Sequence, residues 1–528
     1  MKSPSKNSGH LARSAGVISA AIMCSRILGL VREQVMAALF GAGTNYDAFV
    51  VAFRIPNLLR DLFGEGALSA AFVAVFSDYD QNRGAAATWR LTNNVIVCIG
   101  VILSLITIIG MYFARPIVML IAPDFARVAG KIALTRYLTV IMFPFLIFVS
   151  LSAVVMGILN SKNRFFIPSI ASSFFNLGSI IGGVSLALIM PRFGQPAIVG
   201  MAMGTLIGGF LQLAGQVPTL RGTGFKFKPI MDWHDPGLIR VFKLMIPAVV
   251  GLGATQINIF VNTNFAASCA VGSVSWLNYA FRLVQFPIGV FGVAVSIATM
   301  PIVSRCAAVK DFKGLKETYV SALTMGFSLT IPATIGLYYL AVPIIRIIFQ
   351  HGRFSAYDTI MTAEALTFYV LGLFAYASVK ITVPVFYALN DTKFPVMGSF
   401  LAVATNIVMI ILTIGPLQHR AIALSTSCAM FGDFLFLSIV LYRKLNGYPL
   451  RYLFNSLGKI IFAALCMWAW LFILHNQLAG WMRGGLATDM SAVILMIGSS
   501  ALLYGGILYL SGLQELRVLV DKVRSRLG

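Results

Sequence analysis

The sequence predicts an all-α, polytopic membrane protein with about fourteen transmembrane helices: two six-helix lobes related as repeats, followed by two C-terminal helices. The first observation is composition, because 58% of the 528 residues are apolar and 11% are charged. Soluble proteins average about 25% charged residues. The second is a succession of apolar runs, each long enough to cross a bilayer as a helix of about 20 residues. The third is a weak internal repeat.

The apolar runs, divided at polar turns, predict the helices in order along the chain. The predicted spans are 14–40, 46–76, 88–114, 132–159, 166–190, 196–218, 238–268, 274–304, 316–343, 358–388, 395–414, 421–442, 454–475 and 490–511. The first two spans, and those from 238 to 304, are the least purely apolar. We expect the polar, basic N-terminus to be retained, because Arg26 interrupts the first apolar run too early for a signal peptide.

Lysine and arginine are distributed unevenly between the loops. An even number of spans places both termini on one side, which then carries 25 of the 40 basic residues against 8 on the other side. Cytoplasmic loops of membrane proteins are the basic ones. The sequence therefore predicts a multi-pass membrane protein with both termini in the cytoplasm.

Two short matches relate the halves of the chain. Residues 52–54 (AFR) recur at 280–282, and the segment beginning at Leu159-Asn160 resembles the one beginning at Leu389-Asn390. Two matches at nearly the same offset indicate homologous bundles. The predicted domains are an N-terminal lobe (1–218), a cytoplasmic linker (219–237), a C-terminal lobe (238–445), and two further helices with a basic tail (446–528).

Several function classes are disfavoured by what the sequence contains. The net charge of +22 does not take the form of basic stripes interleaved with exposed aromatic residues, so nucleic-acid binding is not expected. We find no nucleotide-binding or hydrolase motif, and the Asp78-Tyr79-Asp80 triplet alone is a weak signal. We interpret the six scattered cysteines as small apolar packing residues. We expect no enzyme activity, no cofactor and no metal site. The sequence does not identify a coupling ion.

The most informative stretch is 25–72, where charged residues interrupt two apolar spans. An arginine at mid-bilayer depth costs roughly 2.5–3.5 kcal/mol on insertion scales, so several together need a ligand, a partner or a water-filled cavity. Guanidinium groups bind phosphate bidentately and stay charged at low dielectric. We therefore predict a cavity for an anionic ligand, lined by Arg26, Arg32, Arg54 and Arg282. The residues predicted to shape the cavity or its gate are Ser25, Gly29, Asp47, Pro56, Asn57, Arg60 and Glu65.

A second interpretation of these arginines stays open. They can snorkel to the interface or pair internally with acidic residues nearby, namely Glu33, Asp47, Asp61 and Glu65. Lys380 and Asp433, alone in late spans, are either structural or near a coupling-ion site.

The sequence resembles the MurJ/MviN family, the lipid II flippases of the multidrug/oligosaccharidyl-lipid/polysaccharide exporter superfamily. The pieces that carry the resemblance are Ser25-Arg26-x-Leu28-Gly29-x-x-Arg32, Phe40-Gly41-Ala42-Gly43, Asp47-Ala48-Phe49, Ala52-Phe53-x-x-Pro56-Asn57-Leu58-Leu59-Arg60, Glu65-Gly66-Ala67, Ser275-Trp276, Tyr279-Ala280-x-Arg282 and Phe349-Gln350-x-Gly352-x-Phe354. Phe281, Gln285, Asp61 and Ala74 depart from the family pattern.

The resemblance implies a substrate and a mechanism. The substrate is undecaprenyl-pyrophosphate-linked disaccharide-pentapeptide, moved from the inner to the outer leaflet by alternating access for peptidoglycan synthesis and cell shape. The implied partners are lipid II and membrane lipids, and we expect a monomer near the cell-wall synthesis machinery. The resemblance implies that five residues are important for function: Arg26, Arg32, Asp47, Arg60 and Arg282.

Three alternatives remain at this point. A related exporter would carry another polyprenyl-linked oligosaccharide or small organic cations, although a cation exporter should line its cavity with acids. A membrane-embedded transferase would need a catalytic carboxylate or histidine constellation on one face. A non-transporting scaffold would not need arginines at membrane depth.

Overall fold

The computed structural model describes residues 5–62, 67–478, 480–481 and 485–517. Side chains are not described for 5–20, Ile22 and Val250. The described residues are almost entirely helical and include no β-strand. The predicted all-α fold class is confirmed.

Twenty-one helices follow one another along the described chain. Their bounds are α1 Ser5–Phe40, α2 Thr44–Arg60, α3 Ala67–Asn82, α4 Gly84–Tyr112, α5 Ala114–Ile121, α6 Lys131–Met142, α7 Phe145–Ser161, α8 Phe166–Ile189, α9 Ala197–Ala214, α10 Val217–Arg221, α11 Pro236–Ser268, α12 Ser273–Pro287, α13 Ala294–Ala308, α14 Phe312–Tyr339, α15 Ala341–Phe349, α16 Ala356–Val370, α17 Leu373–Ala388, α18 Lys393–Leu417, α19 His419–Lys444, α20 Leu450–Leu478 and α21 Leu486–Leu510. A π-helical segment, Ile288–Val293, joins α12 to α13.

Ten helical segments among the described residues are long and apolar enough to cross a membrane, and two bent helix pairs raise the number to twelve. The other two predicted spans, 14–40 and 46–76, coincide with α1 and with α2 followed by α3. These are the segments in which charged residues interrupt the apolar runs. All fourteen predicted spans overlap described helices, so about fourteen spans remains consistent with the structure.

Proline accounts for one break that the span predictions passed over. The predicted span 132–159 is two helices, α6 and α7, separated at Phe143 and Pro144. Proline has no backbone N–H and clashes with the preceding turn, so a continuous helix through it is disfavoured. The π-helical segment that begins at Ile288 likewise follows directly after Pro287.

The chain divides into two compact units, Met1–Val274 and Ser275–Gly528. In the first unit, buried side chains of α3, α4 and α7, such as Phe72, Val95 and Ile158, form one apolar core. In the second, Tyr319, Phe386, Ile460 and others form another, to which α20 and α21 contribute. Compact packing units need not coincide with sequence repeats. The predicted boundaries of the lobes and of the linker therefore stay a prediction.

Helix lengths repeat between the two halves in the same order. The long α4 and the short α5 that follows it (Gly84–Tyr112, Ala114–Ile121) have counterparts in α14 and α15 (Phe312–Tyr339, Ala341–Phe349). Likewise α7 and α8 have counterparts in α17 and α18, and these starts are separated by nearly the same number of residues as the sequence matches. The succession of elements therefore has the form of a repeat, with α20 and α21 appended.

Small residues bring α8 and α9 into close contact in the first unit. A Cβ atom added to Gly204 of α9 would lie 2.3 Å from the Cα of Gly183 on α8. A Cβ on Gly200 would lie 2.2 Å from the backbone nitrogen of Ala187. These helices pack backbone against backbone, as small-residue faces of membrane helices do.

Two buried asparagines of α4 hold the segment 226–232 of the predicted linker. Asn93 donates to the Lys226 carbonyl at 3.0 Å and accepts from the Lys228 N–H at 2.9 Å. Asn94 donates to the Asp232 carbonyl at 2.8 Å and accepts from the Asp232 N–H at 2.7 Å. Each amide side chain thus satisfies one donor and one acceptor of an irregular backbone.

We expect Asn94→Ala to destabilise the folded protein by about 1–3 kcal/mol, because the Asp232 N–H and C=O both lose their partner. Thermal unfolding of the purified protein in detergent measures this loss. Asn82→Ala is the matched control, since Asn82 bonds only to Asp78 at an exposed position. An Asn94→Ala protein as stable as the control would contradict a clamping role.

Candidate functional site

The predicted cavity begins on α1 with Ser25, Arg26 and Gly29. The Arg26 side chain is exposed, and within the described chain it forms no ion pair. The Ser25 carbonyl accepts a hydrogen bond from Asn176 Nδ2 on α8 at 3.1 Å. Gly29 also faces Asn176, and a Cβ there would make only an ordinary 3.7 Å contact. Packing therefore places this face of α1 beside α8 but does not by itself require glycine at position 29.

Arg32 is held by its neighbours rather than extended into open space. Its Nη2 lies 3.0 Å from Glu33 Oε1, and its guanidinium carbon lies 5.1 Å from the centre of the Phe175 ring. Glu33 is 3% exposed and also accepts a 2.6 Å hydrogen bond from the Tyr46 hydroxyl. The internal pairing of Arg32 with Glu33, one of the two interpretations of the sequence, is present.

Asp47 forms a buried ion pair at the start of α2. Its Oδ2 lies 2.8 Å from Lys131 Nζ and accepts a 2.9 Å hydrogen bond from the Gly272 N–H. The two side chains are 1% and 2% exposed, and Lys131 Nζ also lies 3.9 Å from the centre of the Phe125 ring. The contact joins α2, the start of α6 and the turn after α11. Removing one partner of such a pair leaves the other as an uncompensated charge in the low-dielectric interior, which strongly destabilises the folded protein.

The second half of α2 carries four of the predicted residues. Arg54 donates to the Thr263 hydroxyl on α11. Pro56 is buried inside the helix, one turn before Arg60. Arg60 pairs with Asp61 at 2.7 Å, with both side chains about one quarter exposed. The neighbouring Asn57 accepts the Asp61 N–H through its carbonyl. Glu65 lies outside the described residues.

Arg282 belongs to the second unit, on α12. Its Nη1 lies 3.5 Å from Gln285 Oε1, one turn further along the helix. The aromatic residues of the same motif have a structural role. Tyr279 is fully buried against Phe349 and Phe354, and Trp276 donates to Asp358 at 2.9 Å. The motif therefore packs α12 through its aromatic residues, while Arg282 lies at a half-exposed position.

The sequence identified the arginines but missed several of their partners. Lys131 directly precedes the predicted span 132–159, yet it is the buried partner of Asp47. Thr263, Phe175 and Asn176 contact predicted residues and were not singled out. One signal was available for Lys131: it is a cation at the first residue of a long apolar run. No local pattern connects it to Asp47, 84 residues away.

The structure offers no arrangement for metal chemistry in its described part, where no three His, Cys, Asp or Glu residues cluster. A cleft of about 280 Å³ lies away from the arginines of α1 and α2, between the α3–α4 turn and the start of α11. Its charged lining residues are Arg83, Arg90, Asp232 and Asp235. Because acids and bases alternate there, the cleft does not have the cationic character predicted for the cavity.

The fold defines the class of protein. An inward-facing multidrug resistance transporter of the MATE family, from the MOP superfamily, superposes with a TM-score of 0.66 over 82% of this chain and 98% of that chain. At 14% sequence identity this likeness shows the fold alone. Together with the apolar spans, it makes the chain a multi-pass membrane protein with the fold of this transporter superfamily.

The particular family follows from sequence. The family model described as "Lipid II flippase MurJ" matches residues 36–489. A probable lipid II flippase MurJ of Vibrio cholerae is 32% identical over 518 residues, covering 96% of this chain and 97% of the relative. Its counterpart from Buchnera aphidicola (subspecies Acyrthosiphon pisum) is 35% identical over 471 residues, covering 88% and 91%. The chain belongs to the MurJ family.

A solved structure of the same family is also similar to this chain. "Lipid II flippase MurJ, inward closed conformation" superposes with a TM-score of 0.76 at 27% identity, over 93% of this chain and 98% of that chain. The resemblance first seen in the motifs of residues 25–72 and 275–354 is therefore confirmed, and the chain belongs to a transporter family.

Proposed function

We propose that the chain is a lipid II flippase, which moves the undecaprenyl-pyrophosphate-linked peptidoglycan precursor from the inner to the outer leaflet of the cytoplasmic membrane by alternating access. The observation that carries this proposal is membership of the MurJ family over residues 36–489, at an identity above 30% to relatives of similar length. Cell-wall synthesis requires this step, because the precursor is made on one side of the membrane and used on the other.

The chemistry of the substrate matches the arginines of α1, α2 and α12. Lipid II carries a pyrophosphate between a large polar headgroup and a long apolar tail. We propose that Arg26, Arg32, Arg54 and Arg282 bind the pyrophosphate, since a guanidinium forms paired hydrogen bonds with phosphate oxygens. The exposure of Arg26 supports this residue most directly.

A different role suits Asp47 and Arg60 of α2. Arg60 pairs with the adjacent Asp61, and Asp47 forms a buried pair with Lys131 of α6. We propose that Asp47 and Arg60, with Ser25, Gly29, Pro56, Asn57 and Glu65, shape the cavity and its gate. The contact between Asp47 and Lys131 supports this role, because it joins α2 to α6.

We further propose the setting in which the protein acts. It lies in the bacterial inner membrane with both termini in the cytoplasm, functions as a monomer near the cell-wall synthesis machinery and uses no cofactor. The cycle is then driven by an ion gradient or by the membrane potential, which is worth about 2.3 kcal/mol per charge per 100 mV.

Reconstitution in liposomes tests the substrate assignment. The purified chain is given fluorescent lipid II in one set of vesicles and an undecaprenyl-pyrophosphate-linked oligosaccharide without the peptide in another. We expect the lipid II signal to become accessible on the opposite leaflet, and unlabelled lipid II to compete. Selective movement of the other lipid would instead assign the chain to a related lipid-linked sugar, and movement of neither would contradict the proposal.

A further inference from the structure

A single acidic residue, Asp433, lies deep inside α19 and has no part in the site described above. It is 4% exposed and lies ten residues before Arg443 in the helix. At a rise of 1.5 Å per residue, that places it about 15 Å along the helix from the basic end. An isolated ionised carboxylate at such a position costs many kcal/mol, whereas the neutral acid does not.

The carboxyl lies against the backbone of α18. A Cβ atom added to Gly398 would lie 2.2 Å from Asp433 Oδ1 and 3.4 Å from Leu437 Cδ2. Any larger residue at position 398 would therefore displace the acid. Oδ1 is fully enclosed and has no hydrogen-bond partner among the described residues. The carboxyl thus occupies a small, largely apolar space between two helices.

Charged and titratable groups lie on all the helices around Asp433. Helices α16, α17 and α18 pack against α19, and Phe327 of α14 contacts Phe434. The charged or titratable side chains on these five helices, besides Asp433, are Lys313, Lys316, Glu317, Tyr319, Tyr338, Tyr339, Tyr357, Asp358, Glu364, Tyr369, Tyr376, Lys380, Tyr387, Lys393, His419, Arg420, Cys428, Tyr442, Arg443 and Lys444.

Specific partners account for several of them. Glu364 pairs with Arg420 at 3.5 Å, and Lys444 pairs with Asp391 in the loop before α18. Lys380 is exposed. Across the described part of the chain, no hydrogen bond or ion pair joins any of these groups to Asp433. Among the described residues, no cation therefore pairs with a negative charge on Asp433.

We infer that Asp433 is a proton-binding site, which holds one proton in this conformation and releases it to water when α18 and α19 open the carboxyl to solvent. A proton needs only the one carboxyl oxygen, whereas hard metal cations collect several oxygen ligands. Among the described residues, Asp433 belongs to no cluster of three His, Cys, Asp or Glu side chains that could hold a metal ion. The neutral acid favours this conformation, so release of the proton favours a different one. Protonation of Asp433 is therefore coupled to the conformational equilibrium of the protein. The link to transport rests on the proposed flippase function, and the protonation itself does not.

Infrared spectroscopy of the full chain in lipid nanodiscs tests the protonation directly. We expect a carbonyl stretching band of a protonated carboxyl at neutral pH, and we expect Asp433→Asn to abolish it. Asp489→Asn is the matched control: Asp489 is also buried, at 3% exposed, but lies 3.4 Å from Arg346 Nε, and Asp433 has no such ion pair among the described residues. Its replacement should leave the band in place.

Three results would overturn the inference: no such band in the intact protein, a band that survives Asp433→Asn, or a band that sodium removes at constant pH. Asp433→Leu provides a second neutral variant if the asparagine variant fails to fold. Flipping assays over a range of pH then test the coupling, where Asp433→Asn should lose the pH dependence of the intact protein. Absence of flipping in both proteins would count against the proposed function while leaving the infrared result intact.

Discussion

Replacing Arg26 or Arg282 with alanine is expected to reduce lipid II flipping by roughly 10- to 100-fold. A hydrogen bond to a charged group contributes about 1.5–3 kcal/mol, and each 1.4 kcal/mol is a factor of ten. The two residues lie on α1 and α12, one in each compact unit, so each tests the contribution of a different half of the chain. The rate of appearance of labelled lipid II on the opposite leaflet of proteoliposomes is the measurement.

Two further variants separate the charge from the structure. Arg26→Lys keeps the positive charge but loses paired hydrogen bonding, so we expect an intermediate rate. Arg127→Ala is the control, since its side chain is 75% exposed and pairs with Asp124 three residues earlier. If alanine at position 26 and at position 282 left flipping at the rate of this control, these arginines would not bind the pyrophosphate.

Replacing Lys131 with methionine is expected to destabilise the folded protein by about 3–5 kcal/mol. The change leaves Asp47, at 1% exposed, as a buried carboxylate that has lost its lysine partner. It also removes the contact between the ammonium group and the Phe125 ring. Denaturation of the purified protein, followed by fluorescence or circular dichroism, measures the loss.

The chain offers a matched lysine–aspartate pair for comparison. Lys162 and Asp80 lie 2.6 Å apart with side chains 26% and 29% exposed, and a pair in that setting contributes about 0–1 kcal/mol. Asp47→Asn combined with Lys131→Met should recover part of the lost stability, because it removes the stranded charge. A Lys131→Met protein no less stable than Lys162→Met would show that the buried pair contributes little.

The helical architecture was predictable because a long apolar run that crosses a bilayer must satisfy its backbone hydrogen bonds internally, which a helix does. Every predicted span overlaps a described helix, and the repeat seen at 52–54 and 280–282 reappears in the succession of helix lengths. Breaks were harder to predict. A hydropathy pattern is continuous through Phe143 and Pro144, although Pro144, which lacks a backbone N–H, lies between α6 and α7.

The candidate site was predictable in its residue types but not in its partners. Adjacent pairs such as Arg32 with Glu33 are visible in the sequence, and the structure contains that pair. Contacts between distant segments depend on tertiary packing, so the pattern near Asp47 gives no sign of Lys131 or Gly272. The same holds for Asn94 and Asp232, 138 residues apart.

Complementation in cells tests the central claim most directly. The cell's own lipid II flippase is depleted, the intact chain is supplied, and lipid II accessible at the outer leaflet is measured. We predict that the intact chain restores this pool and that cells keep their shape and continue to grow. A chain that is inserted and folded but leaves lipid II confined to the inner leaflet would contradict the assignment as a lipid II flippase.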